Sequence, residues 1–446
     1  MTERSRRFDG GRRVFVALLG AAAAGTLSAR NALALGRTPL GGSLRLSLPF
    51  ARGPLDPHAA DDPLAALLAP AVADTLFVLD AEQRPHPTLA AELPRPTAGG
   101  TRVTLRRGLV TARGKALDGR DLAFSLARSR EHGGAAVLAE LPAPVRDTSE
   151  PLAVLFPNAD ANAVALALAS PATALVPRGF DPKTPDGTGA FRAAPSANGL
   201  VLERNPNAAR GPAFLARVDI ALGGDLAEAL RAFESERADV GWLGAGLYRA
   251  RAGAVGFEGP NLGWAILRTG HDAGRWSAPG LAQDLADGTP RAALAPFGLV
   301  ATPGARPGTA WGGGNVEVLA PASAPQLVEI ANAVASAFSV QGQRVNTRAV
   351  APNELAERRA SGRYALMLDF VREAGPPGRA TLLSLLAAEN PALAARPPYA
   401  PSFEPADVAR TLRLGVLGTL RVSGARAANV HGLDGFQLGN VFLDGA

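Results

Sequence analysis

The sequence predicts an α/β protein of two lobes with a cleft between them. Helices alternate with apolar strands in two stretches, around residues 225–243 and 326–370, and a Gly/Pro-rich stretch, 256–315, separates the two. This alternation is typical of mostly parallel sheets with helices on both faces. With 446 residues, 47% of them hydrophobic and 19% charged, the chain can bury more than one core and is not a disordered chain.

The first 34 residues predict an export signal. Arg12-Arg13 precede a short apolar core, and Ala32-Leu33-Ala34 is a small-x-small cleavage site. The core is too short and too rich in Ala and Gly to span a bilayer well. Because Val14-Phe15-Val16 follows the two arginines, the segment resembles a twin-arginine signal, and a leader for the general secretory route is the alternative. We expect a mature protein that is periplasmic and soluble. The chain has no cysteine, so it has no N-terminal cysteine for a lipid anchor.

The net charge of +6 does not indicate a nucleic-acid partner. Residues 1–34 carry six arginines against Glu3 and Asp9, a net of +4, so the rest of the chain is close to neutral at +2. Aromatic residues make up 5% of the chain, and none lies between the basic residues of the cluster at 102–120. We therefore expect no nucleic-acid binding.

The first predicted elements follow the export signal. Residues 43–50 alternate polar and apolar side chains and predict a strand, and Pro63–Phe77 contains a helix with leucines on one face. Asp61-Asp62 precede this helix, where capping explains them better than a pair of catalytic carboxylates. Thr101–Leu105 and the stretch after it predict a short hairpin. Asp121 is the predicted N-cap of a helix that runs to about residue 130.

The second half of the sequence contains the clearest helices. Asp225–Ala238 is a helix that Asp225 caps, and it is followed by a strand at 238–243. Ligands of open α/β sheets bind at the carboxyl ends of strands, which places Trp242 and Asp369 beside the predicted cleft. The later predicted elements are a helix at Gln326–Phe338, a strand at Arg344–Val350, a helix at Glu354–Ala360 that Gly362 ends, and a buried strand at Tyr364–Phe370.

The sequence contains no catalytic motif. Gly-x-Ser-x-Gly, His-Glu-x-x-His, Walker and Gly-x-Gly-x-x-Gly patterns are absent, and the five histidines are scattered singly. Gly312-Gly313-Gly314 is not followed by a helix, so we interpret it as a connector rather than a phosphate loop. We expect no metal and no cofactor. An exported protein of this kind is most simply a binder. The alternatives are an exported hydrolase and a binding protein without a transporter that acts as a scaffold or sensor.

Five short motifs follow one another between residues 41 and 243. They are Leu55-Asp56-Pro57 with Ala73–Phe77 and Pro87–Ala90, then Thr104–Leu109, Leu117–Leu126, Asp186–Arg192, and finally Glu203–Pro206 with Gly211–Leu215. Together they resemble the extracytoplasmic solute-binding proteins of ABC importers, in the group that includes dipeptide, oligopeptide and nickel binders. Ala190 and Phe191 stand where that family has Pro and Tyr. Beyond Gly270 the resemblance rests on the succession of helices and strands.

The resemblance implies a type II, Venus-flytrap fold with a smaller domain inserted in the first lobe. It also implies a monomer that captures a small-molecule or peptide solute by hinge closure and delivers it to an ABC permease in the inner membrane. The expected division is lobe I at 36–80, 178–268 and 425–446, the inserted domain at 81–177, and lobe II at 269–424.

Six residues are predicted to contact the solute. Core packing is the alternative for the aromatic ones, and a hinge salt bridge is the alternative for the charged ones. In the family's peptide binders, an Asp just after the cleft strand of the second lobe holds the amino terminus of the ligand. Ala374 falls at that place here, and a shift of one residue would put Glu373 there instead. No histidine lies in the loops predicted at the cleft, which argues against nickel. The six predicted contacts are Phe50, Trp242, Tyr248, Trp264, Asp369 and Arg372.

Overall fold

The computed structural model describes residues 40–242, 253–300, 314–339, 343–373 and 409–444. The predicted export signal, Tyr248 and Gly312-Gly313 lie outside these ranges. The helices are α1 Pro63–Leu68, α2 Gly119–His132, α3 Ala161–Ala167, α4 Leu226–Glu234, α5 Leu281–Gly288, α6 Arg291–Leu294, α7 Pro325–Phe338 and α8 Pro352–Ser361. The strands are β1 Ser43–Ser47, β2 Phe77–Leu79, β3 Pro85–Pro87, β4 Arg95–Thr97, β5 Gly100–Thr104, β6 Val145–Arg146, β7 Ala153–Phe156, β8 Phe191–Ser196, β9 Gly199–Arg204, β10 Arg217–Ala221, β11 Val240–Trp242, β12 Ala254–Thr269, β13 Leu299–Val300, β14 Val316–Pro321, β15 Val345–Val350, β16 Leu366–Arg372, β17 Leu414–Ala427, β18 Val430–His431 and β19 Phe442–Leu443.

The described residues form one sheet of 11 strands that joins the two helix–strand units. Its order is β15-β14-β16-β12-β17-β11-β1-β10-β9-β8, and β13 pairs with β17. We call β8, β9, β10, β1 and β11 the first half of the sheet, and β14, β15 and β16 the second half. The long strands β12 and β17 pair with each other and link the halves, because β12 also pairs with β16 and β17 with β11. The β12–β17 register shifts between Glu258 and Gly263.

The prediction of mostly parallel sheets is wrong. Parallel pairing joins β1 to β10 and β11, and β14 to β15 and β16, whereas the other pairs of this sheet in the described residues are antiparallel. The parallel pairs arise where a helix returns the chain to the same end of the sheet. The long linking strands run back and forth between the halves, so their ladders are antiparallel.

Local sequence signals predicted three of the helix boundaries. The Asp225 carboxylate accepts a hydrogen bond from the Glu228 backbone N–H, as an N-cap does. The side chain of Asp62 caps α1 in the same way, as predicted. Gly362 ends α8 at φ +66°, a left-handed conformation that favours glycine.

Several predicted boundaries need correction. The helix predicted over Asp225–Ala238 ends at Glu234, and the strand predicted over Tyr364–Phe370 covers Leu366–Arg372. Asp118, not Asp121, is the N-cap of α2. Asp121 is the third residue of the helix and completes a capping box, because its carboxylate accepts a hydrogen bond from the Asp118 backbone N–H. Thr101–Leu105 does not pair with the stretch after it. Instead β5 pairs with the preceding β4 and with the distant β7, because residues 106–118 form a loop with an isolated bridge.

Of the four hydrophobic clusters in the described residues, two large ones underlie this arrangement. The larger one packs the 11-stranded sheet against α1, α4 and α7 and includes the buried stripe of α7. A second cluster runs from Leu76 to Leu175 and lies between the four-stranded sheet β4-β5-β7-β6 and the helices α2 and α3. Among the helices of the described ranges, none has the length and hydropathy needed to span a bilayer.

Candidate functional site

A cavity of about 370 Å³ lies where the end of β16 meets the loop before α1 and the segment that follows α1. We call it the cleft cavity. Its wall comes from loops such as the one between β9 and β10, which carries Arg210, from the small strand β2, from the linking strand β12 and from the end of β16 in the second half. Its polar wall residues are Asp74, Thr75, Arg210, Asn261, Arg372, Glu373 and Gln437, and the other wall residues are Pro57, Ala69, Pro70, Ala73, Val78, Leu79, Ala169, Pro171 and Ala174.

Glu373 is the residue directly after β16. Its backbone N–H donates to the Leu262 carbonyl oxygen at 2.9 Å, which fixes the main chain against β12. Burial raises the pKa of the Glu373 carboxyl group to about 7. No residue that the structure describes forms a hydrogen bond or ion pair with this carboxylate. A cation in the cavity would therefore compensate a charge that no described residue compensates.

Arg372 is the last residue of β16 and is 4% exposed. Its backbone N–H donates to the Ala60 carbonyl oxygen at 2.7 Å, and Nη1 donates to the Pro57 carbonyl oxygen at 2.6 Å. Burial lowers the pKa of Arg372 to about 10, against the opposing charges of Asp62 and Asp56. The loop before α1 thus holds the guanidinium in the cavity wall.

A buried network holds this loop in turn. Arg128 of α2 donates to both carboxylate oxygens of Asp56, at 2.8 and 2.6 Å. The same guanidinium lies 2.9 Å from His58 Nδ1, and His58 Nε2 lies 2.8 Å from the Ala174 carbonyl oxygen. Nδ1 therefore accepts and Nε2–H donates. Burial lowers the pKa of His58 to about 4, so the ring is neutral at pH 7. His58 has a structural role here.

Asp61 and Asp62 have different partners. The Asp62 carboxylate accepts from the Leu64 backbone N–H at 2.9 Å, and burial raises its pKa to about 6. The Asp61 carboxylate pairs with Arg359 of α8 at 3.0 Å. Arg359 also pairs with Asp369 at 2.9 Å, so it connects the loop before α1 with the second half of the sheet.

Of the six predicted contacts, Arg372 lines the cleft cavity. Asp369 lies in the middle of β16 rather than near its end, is 2% exposed, and pairs with Arg268 at 2.8 Å as well as with Arg359. A salt bridge was the alternative to solute contact that the sequence analysis gave for Asp369. Phe50 is 1% exposed in the larger hydrophobic cluster. For both residues, contact with a solute stays a prediction.

The other three predicted contacts are aromatic residues at different places in the chain. Trp264 lies on the linking strand β12, as the sequence predicted, and packs at 5% exposure in a small cluster with Ile266 and Val371. Trp242 is the last residue of β11, at the expected strand end, where its backbone is opposite Gly424. Tyr248 lies outside the described residues. No observation tests whether the three touch a solute.

Thr188 and Gly189, in the motif at Asp186–Arg192, have structural roles. Thr188 Oγ1 donates to Asp74 Oδ2 at 2.9 Å, and both residues are buried. A Cβ at Gly189 would lie 2.5 Å from the carbonyl carbon of Val72, so only glycine fits there. Burial raises the pKa of Asp74, although the hydrogen bond from Thr188 and the charges of Arg210 and Arg106 oppose the shift.

Five polar residues of the cleft cavity were not predicted as contacts, namely Asp74, Thr75, Arg210, Asn261 and Gln437. Asn261 sits at the register shift of β12, which no periodicity reveals, and its Oδ1 accepts from Arg421 Nε at 3.3 Å. Arg210 is one of 44 arginines, and the sequence around it does not distinguish it from the others. In the described ranges, no three His, Asp or Glu side chains are grouped in a way that could hold a metal ion.

The chain is similar in fold to solved solute-binding proteins. No protein-family profile and no curated protein matches it. The oligopeptide-binding protein AppA of Bacillus subtilis, solved with a nonapeptide, has a TM-score of 0.67 at 14% identity and covers 91% of this chain and 100% of its own. The binding protein DppA of Helicobacter pylori, solved with the peptide STSA, has a TM-score of 0.68 at 12% identity, with coverage of 91% and 99%. NikA of Staphylococcus aureus, solved with Ni(L-His)₂, has a TM-score of 0.66 at 12% identity, with coverage of 90% and 100%.

These similarities establish the fold. The protein has the two-lobed, α/β periplasmic-binding-protein fold that the sequence predicted, and the similar structures include members of the family that its motifs resemble. At 12–15% identity they say nothing about which solute this chain binds.

Proposed function

We propose that this protein is the solute-binding component of an ABC-type importer, and that it captures a small organic solute with a cationic amine in the cleft cavity. The observation that carries the proposal is Glu373, a carboxylate that is mostly buried in the cavity wall with no partner among the described residues. AppA and DppA were solved with peptides, and a peptide carries such an amine. A one-residue shift in the family's pattern puts Glu373 at the place of the amine-binding Asp.

The same proposal includes the division of the chain and its partners. Lobe I comprises 36–80, 178–268 and 425–446, the inserted domain 81–177, and lobe II 269–424. The separate cluster from Leu76 to Leu175 supports the inserted domain. Closure rotates the lobes about β12 and β17 and buries the solute. A monomer exported to the periplasm then delivers the solute to an inner-membrane permease.

The wall of the cavity supports binding rather than catalysis. Within the described residues that line it, Thr75 carries the one hydroxyl group, and its Oγ1 donates to the Phe77 carbonyl oxygen at 2.6 Å. A hydrolase would need a nucleophile beside a base, or metal ligands, at this place. Two carboxylates, two guanidinium groups and two amides instead provide hydrogen bonds and charges for recognition.

The test compares two glutamate variants in solute binding. Mass spectrometry of protein from the periplasm identifies the solute that copurifies, and titration calorimetry measures its affinity for stripped protein. We expect Glu373→Gln to weaken binding at pH 8 by about tenfold or more, because a charge-assisted hydrogen bond is lost. Glu131→Gln, at an exposed position of α2, is the matched control and should bind as the wild type does. Equal affinities for all three proteins, or chemical turnover of the solute, would contradict the proposal.

A further inference from the structure

A cavity of about 380 Å³ lies between two loops, one that follows β5 and one that joins β9 to β10. We call it the loop cavity. Residues 106–110 of the first loop and residues 206–209 of the second form its wall. The loop cavity shares no wall residue with the cleft cavity, although Ala209 lines the first and the next residue, Arg210, lines the second. It is therefore a separate place on the molecule.

Two adjacent arginines give the loop cavity a positive charge. Arg107 is exposed, and its side chain forms no hydrogen bond or ion pair with any residue that the structure describes. Arg106 is half-buried, and its Nη2 donates to the Ala209 carbonyl oxygen at 2.6 Å. The buried Nε–H of Arg106 has no acceptor among the described residues.

No acidic side chain balances these charges in the wall. Among the described residues that line the loop cavity, none is Asp or Glu. The charge of Arg106 acts on the buried Asp74 and opposes the rise in the pKa of that carboxyl group, but Asp74 lines the cleft cavity instead. The guanidinium of Arg107 is left to an anion from outside the protein.

The turn at Arg107-Gly108 adds backbone donors to the wall. Gly108 has a φ of +77°, whereas the φ of Arg107 is not positive. Such an alternation directs successive backbone N–H groups to the same side of the chain, where they bind anions. Neither of these two N–H groups donates to a residue that the structure describes. Leu105 and Leu109, on either side of the turn, are buried in the second hydrophobic cluster and hold it in place.

The second loop is fixed by a buried amide. The Asn205 side chain is fully buried, and its Nδ2 donates to the Gly189 carbonyl oxygen at 2.8 Å. Its Oδ1 accepts from the Asn207 backbone N–H at 2.8 Å. Asn207 Nδ2 in turn donates to the Thr111 carbonyl oxygen at 3.3 Å, which joins the two loops. The cavity is therefore formed before any ligand binds.

We propose that the loop cavity binds a phosphate group. A guanidinium group binds phosphate through two parallel hydrogen bonds, and two guanidinium groups match the nearly two negative charges of a phosphate monoester at neutral pH. A water molecule has about 30 Å³ in the liquid, so a cavity of about 380 Å³ also has room for the group that carries the phosphate. A soluble phosphate ester and a phospholipid headgroup present this same chemistry. The inference does not depend on the proposed function.

The test is titration calorimetry of solute-free protein with glycerol 3-phosphate at pH 8 and low salt, with glycerol as the uncharged probe. We expect the wild type to bind the ester and not glycerol. Arg107→Gln should weaken binding of the ester by about tenfold, because one charge-assisted contact is lost. Arg231→Gln is the matched control, since Arg231 is exposed on α4 and its side chain has no described partner, and it should bind as the wild type does.

A second pair of variants separates charge from space. Ala208 lines the loop cavity, so Ala208→Glu adds a carboxylate to its wall and Ala208→Gln adds a neutral side chain of the same size. We expect Ala208→Glu to abolish measurable binding of the ester and Ala208→Gln to keep most of it. Thermal melting should show that both variants are folded.

Sedimentation with phosphatidylglycerol vesicles distinguishes the two sources of the phosphate. Sedimentation of the wild type that Arg107→Gln reduces would identify a lipid headgroup, and binding of the ester without sedimentation would identify a soluble one. If glycerol 3-phosphate does not bind the wild type, or binds Arg107→Gln equally well, the inference is wrong. A loss of binding in Arg210→Gln that Arg107→Gln does not share would place the ester in the cleft cavity and would also overturn it. Glu373→Gln tests the proposed function with a different ligand, so either proposal can fail alone.

Discussion

Replacing Glu373 by glutamine should stabilise the solute-free protein at high pH and leave it unchanged at low pH. In the folded chain, burial raises the pKa of the Glu373 carboxyl from the ordinary 4.5 to about 7. Between these two values the folded state holds a proton that the unfolded state has released. The free energy of unfolding therefore falls as the pH rises through this interval, and the penalty is complete above pH 7. Glutamine carries no charge and avoids the penalty.

The magnitude follows from the shift. A difference of about 2.5 pH units corresponds to about 3 kcal/mol at 1.36 kcal/mol per unit. Glu373 borders the cavity, where water screens part of the cost, so we expect about 1–2 kcal/mol. At pH 4 both states are largely protonated, and the variant and the wild type should be equally stable.

The assay is urea denaturation of solute-free protein at pH 4 and pH 8, followed by tryptophan fluorescence. The denaturation midpoint of Glu373→Gln should exceed that of the wild type at pH 8 only, and Glu131→Gln should match the wild type at both values. A variant that is less stable than the wild type at pH 8 would refute the reasoning. It would mean that the carboxylate has a partner in the protein, and the site would then have no unpaired charge to offer a solute.

Three further predictions concern the surroundings of the cavity. Asp62→Asn should keep the cap of α1 and melt at a higher temperature than the wild type at pH 8, because burial raises the pKa of Asp62 to about 6 and asparagine avoids the cost of the buried charge. Asp62→Ala should lose about 1 kcal/mol of stability with the cap. Thermal melting at pH 8 distinguishes the two variants. His58→Gln should reduce the acid sensitivity of the protein. The neutral ring of the folded state has a pKa of about 4, so the wild type loses stability as the pH falls from 6.5 to 4, which urea midpoints at pH 7 and 4.5 will show. Arg359→Met should cost about 1–3 kcal/mol because it leaves Asp369 with one guanidinium fewer, while the exposed Arg363→Met should cost less than about 1 kcal/mol in the same melts.

The sequence predicted those parts of the fold that local patterns encode. The caps at Asp225 and Asp62, the glycine after α8 and the apolar stripe of α7 each depend on neighbours within a few residues. The predicted direction of strand pairing was wrong, because the direction depends on where β12 and β17 run between the two halves of the sheet. That path is set by contacts between residues far apart in the chain, which hydrophobic periodicity does not record.

The sequence predicted only part of the candidate site, namely the part that local patterns encode. Arg372 and the neighbouring Glu373 follow an apolar strand, and the strand itself is visible in the sequence. Arg210 and Asn261 join them only through the folded chain, one from a loop after β9 and the other from the irregular part of β12. Neither position differs locally from many exposed polar residues, so no sequence pattern identifies it.

Asp369 and Glu373 show which property separates a binding carboxylate from a structural one. They lie four residues apart, on β16 and directly after it. Asp369 has two arginine partners, so its buried charge is compensated by the protein and contributes to holding β12, β16 and α8 together. Glu373 has none among the described residues, and its raised pKa records the cost. Protein charges that are left uncompensated in a cavity are found where a ligand supplies the missing partner. The partners of a buried charge are therefore a better guide to the solute than burial or aromatic character, and they favour Glu373 over the aromatic residues.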